Sequence, residues 1–354
     1  MTDTLVRAAE PVALDAGERA ALVDTVRRLL AERCTEQDVR RIMDSESGHD
    51  PALWRALCDL GLPGLLIPAE AGGTGLGPVE LELVMEEAGA ALLPAPVISS
   101  ALAATLCPDW PGLANGSCIA AVAFAGRHDW AGHSTVAWNG ERLTGVARFV
   151  PDAAIADTVF VVCDDQIVAV ARDAMTVTPL PVFDRTRRMA DVTFHGPAEL
   201  VSDGARIAAA KDIALVALAG EQAGGARRML EMTVAYATER HQFGRAIGSF
   251  QAIKHMAADL LLESESATSA ARDAARQLAE RTETKDAAIA LAAFACADAF
   301  VRVAKDGIQM HGGIAFTWEH PAHLYLRRAR SAAQLYGDSQ VWRERYLQAL
   351  EAQS

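Results

Sequence analysis

Apolar residues recur at helical spacing from Glu18 to about Arg41, with Leu22, Val26, Leu29 and Leu30 on one face, the signature of an amphipathic helix. Residues 1–15 carry no such pattern and read as frayed. A second helix is expected from Asp50-Pro51, with Asp50 as N-cap and Pro51 at the first helical position. It carries Leu53, Trp54, Leu57 and Leu60 and stops at Gly61. The stretch from Leu62 to Leu76 is dense in Gly and Pro, which no regular element tolerates. A helix follows from Pro78 to Leu92. Pro94 and Pro96 break it, and Val97 to Leu106 resumes it.

The period changes near Cys107–Gly112. From Cys118 onward, short β-rich runs alternate with turns. The expected strands are Cys118–Phe124, Ser134–Trp138, Arg142–Phe149, Thr158–Cys163, Ile167–Val170, Met175–Pro179 and Met189–Phe194. Asn139-Gly140 is a hairpin signal, and the β-region is expected to end near Gly196-Pro197. Helical spacing returns from Arg206 to Arg240, where Gly220, Gly224 and Gly225 permit close packing. After a turn, Ser249 is expected to cap a helix running to about Arg281. A further helix spans Lys285–Gln309. The last pattern begins near Pro321 and breaks at Tyr336-Gly337-Asp338 before a terminal helix. The fold class is α+β: a helical domain over 1–115, a β-domain over 116–197 and a four-helix domain over 198–354.

The 354 residues suit two or three domains. Hydrophobic residues at 51% and charged residues at 22% are an ordinary globular balance. A net charge of −13 argues against nucleic acid or an anionic membrane as the main partner. A phosphorylated ligand would need local Arg or Lys. The six cysteines form no Cys-x-x-Cys pair, so no metal site is expected. No signal peptide is seen, and no apolar stretch is read as a membrane span. A reducing, cytoplasmic setting is the expectation.

Two turns carry chemistry. In Arg240-His241-Gln242-Phe243-Gly244, Arg240 offers a forked cation for a phosphate. Gln251 and Gln309 offer amide donors and acceptors. Gly312-Gly313 lets backbone N–H groups approach a diphosphate closely. Taken singly, each turn is equally a helix connection with a Gly and a surface Arg. His255 and His311 sit beside the turns and are not read as catalytic.

Together, the two turns closely resemble the C-terminal half of the acyl-CoA dehydrogenase family of flavoenzymes. The Trp54 helix with its Gly72-Gly73-Thr74-Gly75 loop resembles the family's N-terminal signature. The order of helices, β-domain and helices extends the resemblance over nearly the whole chain. It implies FAD lying between two subunits. One subunit's Arg-x-x-Phe-Gly and Gln-x-x-Gly-Gly turns hold the diphosphate and adenosine of its neighbour's cofactor. Arg240, Gln242, Phe243, Gly244, Gln251, Gln309, Gly312 and Gly313 fall in that set, with Phe243 as an adenine wall or as core packing.

At the flavin-ring end, Phe149-Val150-Pro151-Asp152 stands where the family carries an aromatic-aliphatic-Thr/Ser-Asn run. Phe149 keeps the aromatic wall, while Pro151 replaces the hydroxyl residue and lacks an N–H. Asp129-Trp130-Ala131-Gly132 replaces the segment that contacts flavin and substrate. The family's reaction needs a carboxylate to take an α-proton while hydride leaves the β-carbon. The usual Glu position holds Tyr336, too weak a base at neutral pH, and the alternative position on the long helix holds Ala214. Asp338 is the first candidate for a displaced base, followed by Asp212 and Glu221. Against that role, Asp338 reads as the cap of the final helix, and Asp212 and Glu221 read as solvated acids or as partners of basic neighbours.

Four readings follow from the resemblance. The chain is a base-lacking subunit of a hetero-oligomer acting on a bulky, steroid-like acyl-CoA, similar to the small subunits of actinobacterial heterotetrameric steroid-CoA dehydrogenases. It is a homotetrameric dehydrogenase with Asp338 as base. It is a flavin oxidase or monooxygenase on the same fold. Or it is a cofactor-free structural subunit. The partners implied are an acyl-CoA, a second acyl-CoA dehydrogenase-like chain and an electron-transfer flavoprotein.

Overall fold

The computed structural model describes residues 12–353, so most of the stretch read as frayed lies outside the described residues. Its last residue is ordered: the Asp15 carboxylate accepts from Glu18 N, and Glu18 accepts from Asp15 N, a capping box that starts α1 (Ala16–Arg33). The single helix expected to Arg41 is in fact two. Thr35 and Asp38 form a second capping box, and α2 (Glu36–Asp44) starts anew. Asp50 caps α3 (Pro51–Asp59) as expected, accepting from Ala52 N at 2.8 Å and Leu53 N at 3.2 Å. Buried Trp54 donates its indole N–H to Gly116 O at 3.0 Å, fixing α3 to the chain that leads into the β-region. Helices α4 (Pro78–Ala90) and α5 (Val97–Leu106) follow.

Two four-stranded sheets make the middle of the chain. Strands β1 (Ala120–Phe124), β2 (Thr135–Trp138), β3 (Leu143–Pro151), β4 (Thr158–Cys163), β5 (Gln166–Ala171), β6 (Met175–Pro179) and β7 (Met189–Phe194) match the expected runs. An eighth, β8 (Glu199–Ser202), lies beyond Gly196-Pro197 and was not expected; four half-exposed residues after a proline show no alternation. The sheet orders are β1-β4-β5-β8 and β2-β3-β7-β6. Among the described residues, only β1 and β4 run parallel. Asn139 makes the hairpin, its side-chain oxygen accepting from Glu141 N and Arg142 N.

The final third holds α6 (Ile207–Glu239), α7 (Gln251–Glu280), α8 (Lys285–His311), α9 (Ala322–Ala332) and α10 (Ser339–Glu351). Helix α8 packs against α6, α7 and α10, while α4 packs against α6. Ser249 does not cap α7: its hydroxyl donates to Ala246 O, and Phe250 occupies the cap position. Glycine sets the α4–α6 distance, because a Cβ on Gly224 would lie 1.8 Å from Glu86 O. Residues 285–316 are long and apolar enough to cross a membrane, with mean hydropathy 1.8, contrary to expectation. Their most apolar window is 61% buried inside the bundle, so core packing accounts for its composition.

On α4, Glu86 takes both forks of Arg272 at 2.7 and 2.9 Å. Glu82, one turn away and fully buried, finds no donor for either carboxylate oxygen. Burial and the neighbouring Glu86 push Glu82 well above the usual 4.5, with Arg272 pulling the other way. The folded chain therefore holds a proton that the unfolded chain releases. That stability is complete below the unfolded pKa and is lost as pH rises towards the folded value. The thermal midpoint should fall as pH rises above about 5. Glu82→Gln should flatten that slope; an unchanged slope would show that Glu82 is already ionised in the fold.

Candidate functional site

Three stretches far apart in sequence meet in one cleft of about 450 Å³. They are the end of β3 with Phe149 and Pro151, the loop of Asp129 to His133, and the α9–α10 junction with Tyr336, Gly337 and Asp338. The backbone of Phe149, Asp152 and Tyr336 is left-handed (φ +55°, +58° and +61°), a strain that needs surrounding structure to hold it. Phe149 is half-exposed and packs edge-on to His133. Asp129 builds its loop by accepting from Ala131 N, His133 N and Ser134 N at 3.0, 3.0 and 2.7 Å. This turn lays Trp130 on Tyr336 (4.7 Å between centroids) and on Phe124 (4.6 Å), with the Lys211 ammonium 4.7 Å from the indole. Tyr336 is buried, and burial pushes its phenol far up. Its ring forms an aromatic wall of the cleft.

The candidate carboxylates are all committed to other partners. Asp338 is exposed and caps α10, accepting from Gln340 N and Val341 N at 3.0 Å each. Asp212 pairs with Lys285 at 3.0 Å, and burial raises its pKa. Glu221 is buried against Arg187 and, at 3.3 Å, Arg328. Burial alone would raise Glu221, but the two guanidinium groups hold it below the ordinary range. Asp338→Ala should cost about 1 kcal/mol of stability, while Asp338→Asn, which keeps the acceptor, should cost little. Neither should stop turnover. Loss of turnover in Asp338→Asn with flavin retained would make Asp338 the base.

Behind Tyr336 lies an ionic cluster that sequence reasoning missed. Arg328, 1% exposed, donates to Asp184 at 2.7 Å and to both the carbonyl and the hydroxyl of Thr186 at 3.1 and 2.7 Å. With Glu221, Arg187, Asp152 and Ser99 it lines a cavity of only about 30 Å³. These partners come from α9, α6, α5, the turn after β3 and the chain between β6 and β7. No local pattern connects them.

The second group of predicted residues lies at one exposed end of the bundle. His241-Gln242 pairs with Arg245-Ala246 as a minimal hairpin. Phe243 and Gly244 form its tip at φ +54° and +76°. Phe243 is 92% exposed, which removes core packing as its role. Arg240 is exposed, and its guanidinium meets no carboxylate among the described residues. Gln242 donates to His241 O at 2.8 Å. Gln251, in the first turn of α7, and Gln309, in the last turn of α8, are exposed. Open space surrounds Gly244, Gly312 and Gly313, where a Cβ would meet nothing within 4 Å. An unpaired cation, bare glycine turns and an exposed aromatic ring fit a diphosphate with a flat heterocycle attached. They form an open face that needs a second surface to enclose such a ligand. Phe149 lies in the cleft and does not join them.

Comparison with known proteins identifies the family. The description "Acyl-CoA dehydrogenase, N-terminal domain" matches residues 17–117, and "Acyl-CoA dehydrogenase, C-terminal domain" matches 212–350. The acyl-CoA dehydrogenase IpdE2 of Mycolicibacterium smegmatis is 38% identical over 327 residues, covering 90% of this chain and 94% of that one. The ChsE4–ChsE5 complex from Mycobacterium tuberculosis superposes with a TM-score of 0.85 at 25% identity, over 96% of this chain and 98% of that one. The steroid ACAD Tcur3481–Tcur3483 gives 0.84 at 28% identity, over 95% and 98%. The chain belongs to the acyl-CoA dehydrogenase family of FAD-dependent oxidoreductases.

Proposed function

We propose that this chain is one subunit of a heteromeric acyl-CoA dehydrogenase that desaturates a bulky, steroid-like acyl-CoA. It presents the diphosphate and adenosine side of a shared FAD site to a partner chain that supplies the base. The domain limits near 115 and 197 belong to the same reading. The observation that carries it is the cleft around Tyr336. An aromatic stack stands at the base position, and every nearby acid is bound to another group. The face given to a neighbour is open, while the acids at the cleft for the chain's own chemistry are engaged by other groups. Similarity to the ChsE4–ChsE5 complex and to the steroid ACAD Tcur3481–Tcur3483 supports both the heteromer and the substrate class.

Bound FAD would supply the acceptor for a hydride leaving the acyl β-carbon. The residues of this chain bind and orient. Arg240 places positive charge against the diphosphate, Gly312 and Gly313 offer backbone N–H groups, Gln251 and Gln309 offer amides, and Phe243 gives an apolar face. An electron-transfer flavoprotein is the proposed electron acceptor.

The test is the visible spectrum of the chain purified alone and with its candidate partner. Flavin absorbance only in the pair, bleached by an acyl-CoA, is the expected result. A yellow chain bleached by acyl-CoA when alone would replace the heteromer with a self-sufficient dehydrogenase. Reduced flavin that reacts at once with oxygen and needs no acyl-CoA would replace it with an oxidase or monooxygenase. A colourless pair would leave a structural subunit.

A further inference from the structure

The two cofactor turns are joined by a ring stack inside the bundle. Arg240 N donates to Tyr236 O at 2.8 Å, tying the first turn to the last turn of α6. The Tyr236 ring lies on His311, with centroids 4.7 Å apart and planes 28° from parallel. His311 immediately precedes Gly312. It is 3% exposed, and its Nδ1 lies 2.7 Å from Gly307 O. Gly307 is where α8 closes on α6, since a Cβ there would lie 2.6 Å from Met229 Cε and 2.8 Å from Thr233 Oγ1. On the chain that returns after Gly313, His320 sits 4.4 Å from the His311 ring. Its Nδ1 accepts from Ala322 N at 3.2 Å.

We propose that His311 is a positioning residue that holds the Arg240 turn and the Gly312-Gly313 turn in a single arrangement able to grip one dinucleotide. The inference rests on the FAD placement given above and adds to it the element that aligns the two halves. The rigid path runs from Arg240 through Tyr236 and His311 to Gly312 without leaving packed or hydrogen-bonded groups.

The same geometry makes the grip sensitive to acid. With Nδ1–H donating to Gly307 O, the neutral ring carries its lone pair on Nε2, which is buried without a partner. A proton there would create an uncompensated buried cation. Burial lowers the pKa of His311, with the Gly307 carbonyl opposing. Tyr236 faces the ring from α6 and His320 from the returning chain. Around His320 stand His323 of α9, with Glu36 and Arg40 of α2, and Arg327 stands by His323; of these side chains Glu36 alone favours a cation. The neutral stack therefore holds at ordinary pH and loosens as pH falls below the usual histidine range.

The experiment is equilibrium binding of FAD to the assembled enzyme across pH about 5–8. Wild type is compared with His311→Leu, His311→Asn and Arg240→Ala. His311→Leu should bind about ten-fold more weakly with an unchanged circular dichroism spectrum. His311→Asn, which keeps an N–H near the Nδ1 position, should recover part of the affinity and lose the acid-dependent fall. Wild-type affinity in His311→Leu, or a pH profile in His311→Asn identical to wild type, overturns the inference. If Arg240→Ala is weakened and His311→Leu is not, this inference alone falls. If neither is weakened, the dinucleotide lies elsewhere and the FAD placement falls as well. Should His311→Leu fail to fold, the His311→Asn profile decides.

Discussion

Arg328→Leu should lower the unfolding free energy by about 3–5 kcal/mol, the usual cost of stripping one partner from a buried ionic cluster. Its guanidinium is enclosed and serves Asp184, Thr186 and Glu221 at once. Leucine would leave Asp184 facing only the Thr186 hydroxyl and backbone N–H, and Glu221 facing only Arg187. Both acids would remain out of water, where an uncompensated carboxylate is costly. Arg328 also ties α9 to α6 and to the chain that feeds β7, so its loss loosens the support behind Tyr336. The measurement is the urea midpoint with its slope. Pairing Arg328→Leu with Asp184→Asn should recover part of the loss, because the second change removes the stranded charge. A single-variant loss under about 1 kcal/mol would show that water or rearrangement compensates the cluster.

Arg240→Ala should weaken FAD binding by the assembled enzyme about 10- to 150-fold, the worth of one hydrogen bond to a charged group, about 1.5–3 kcal/mol. In the chain itself Arg240 is exposed and unpaired, so the fold loses nothing when it is removed. The thermal midpoint without cofactor should stay at the wild-type value. Arg240→Lys should restore charge but not the two-pronged geometry, giving an intermediate affinity that is more sensitive to salt. Equal affinity in all three proteins would mean that the diphosphate is held by other groups. The contrast with Arg328 is instructive. Burial among partners marks Arg328 as an arginine of the fold, and exposure without a carboxylate partner among the described residues marks Arg240 as the one proposed for a ligand.

Much of this could be read from contiguous residues. The Asp50-Pro51 cap, the Asn139-Gly140 hairpin and the proline breaks act within a few residues, so their physics is written locally. The two turns proposed for the cofactor could be picked out for the same reason, since their bare glycines, arginine and amides lie close together in the chain. The Thr35-x-x-Asp38 capping box was equally local and could have divided α1 from α2. The Asp338 cap was readable because its partners are the next backbone N–H groups, whereas the partners of Asp212 and Glu221 were not, because Lys285, Arg187 and Arg328 are distant in the chain. Tertiary packing alone decided that Trp130 lies on Tyr336, that Arg328 closes on Asp184 and Glu221, and that His311 links Tyr236 to Gly312. Each of these joins residues on different elements, and no period or spacing records such a contact. The apolar run of α8 shows the reverse limit. Composition cannot tell a membrane from a bundle core, and only its neighbours α6, α7 and α10 identify which of the two surrounds it here.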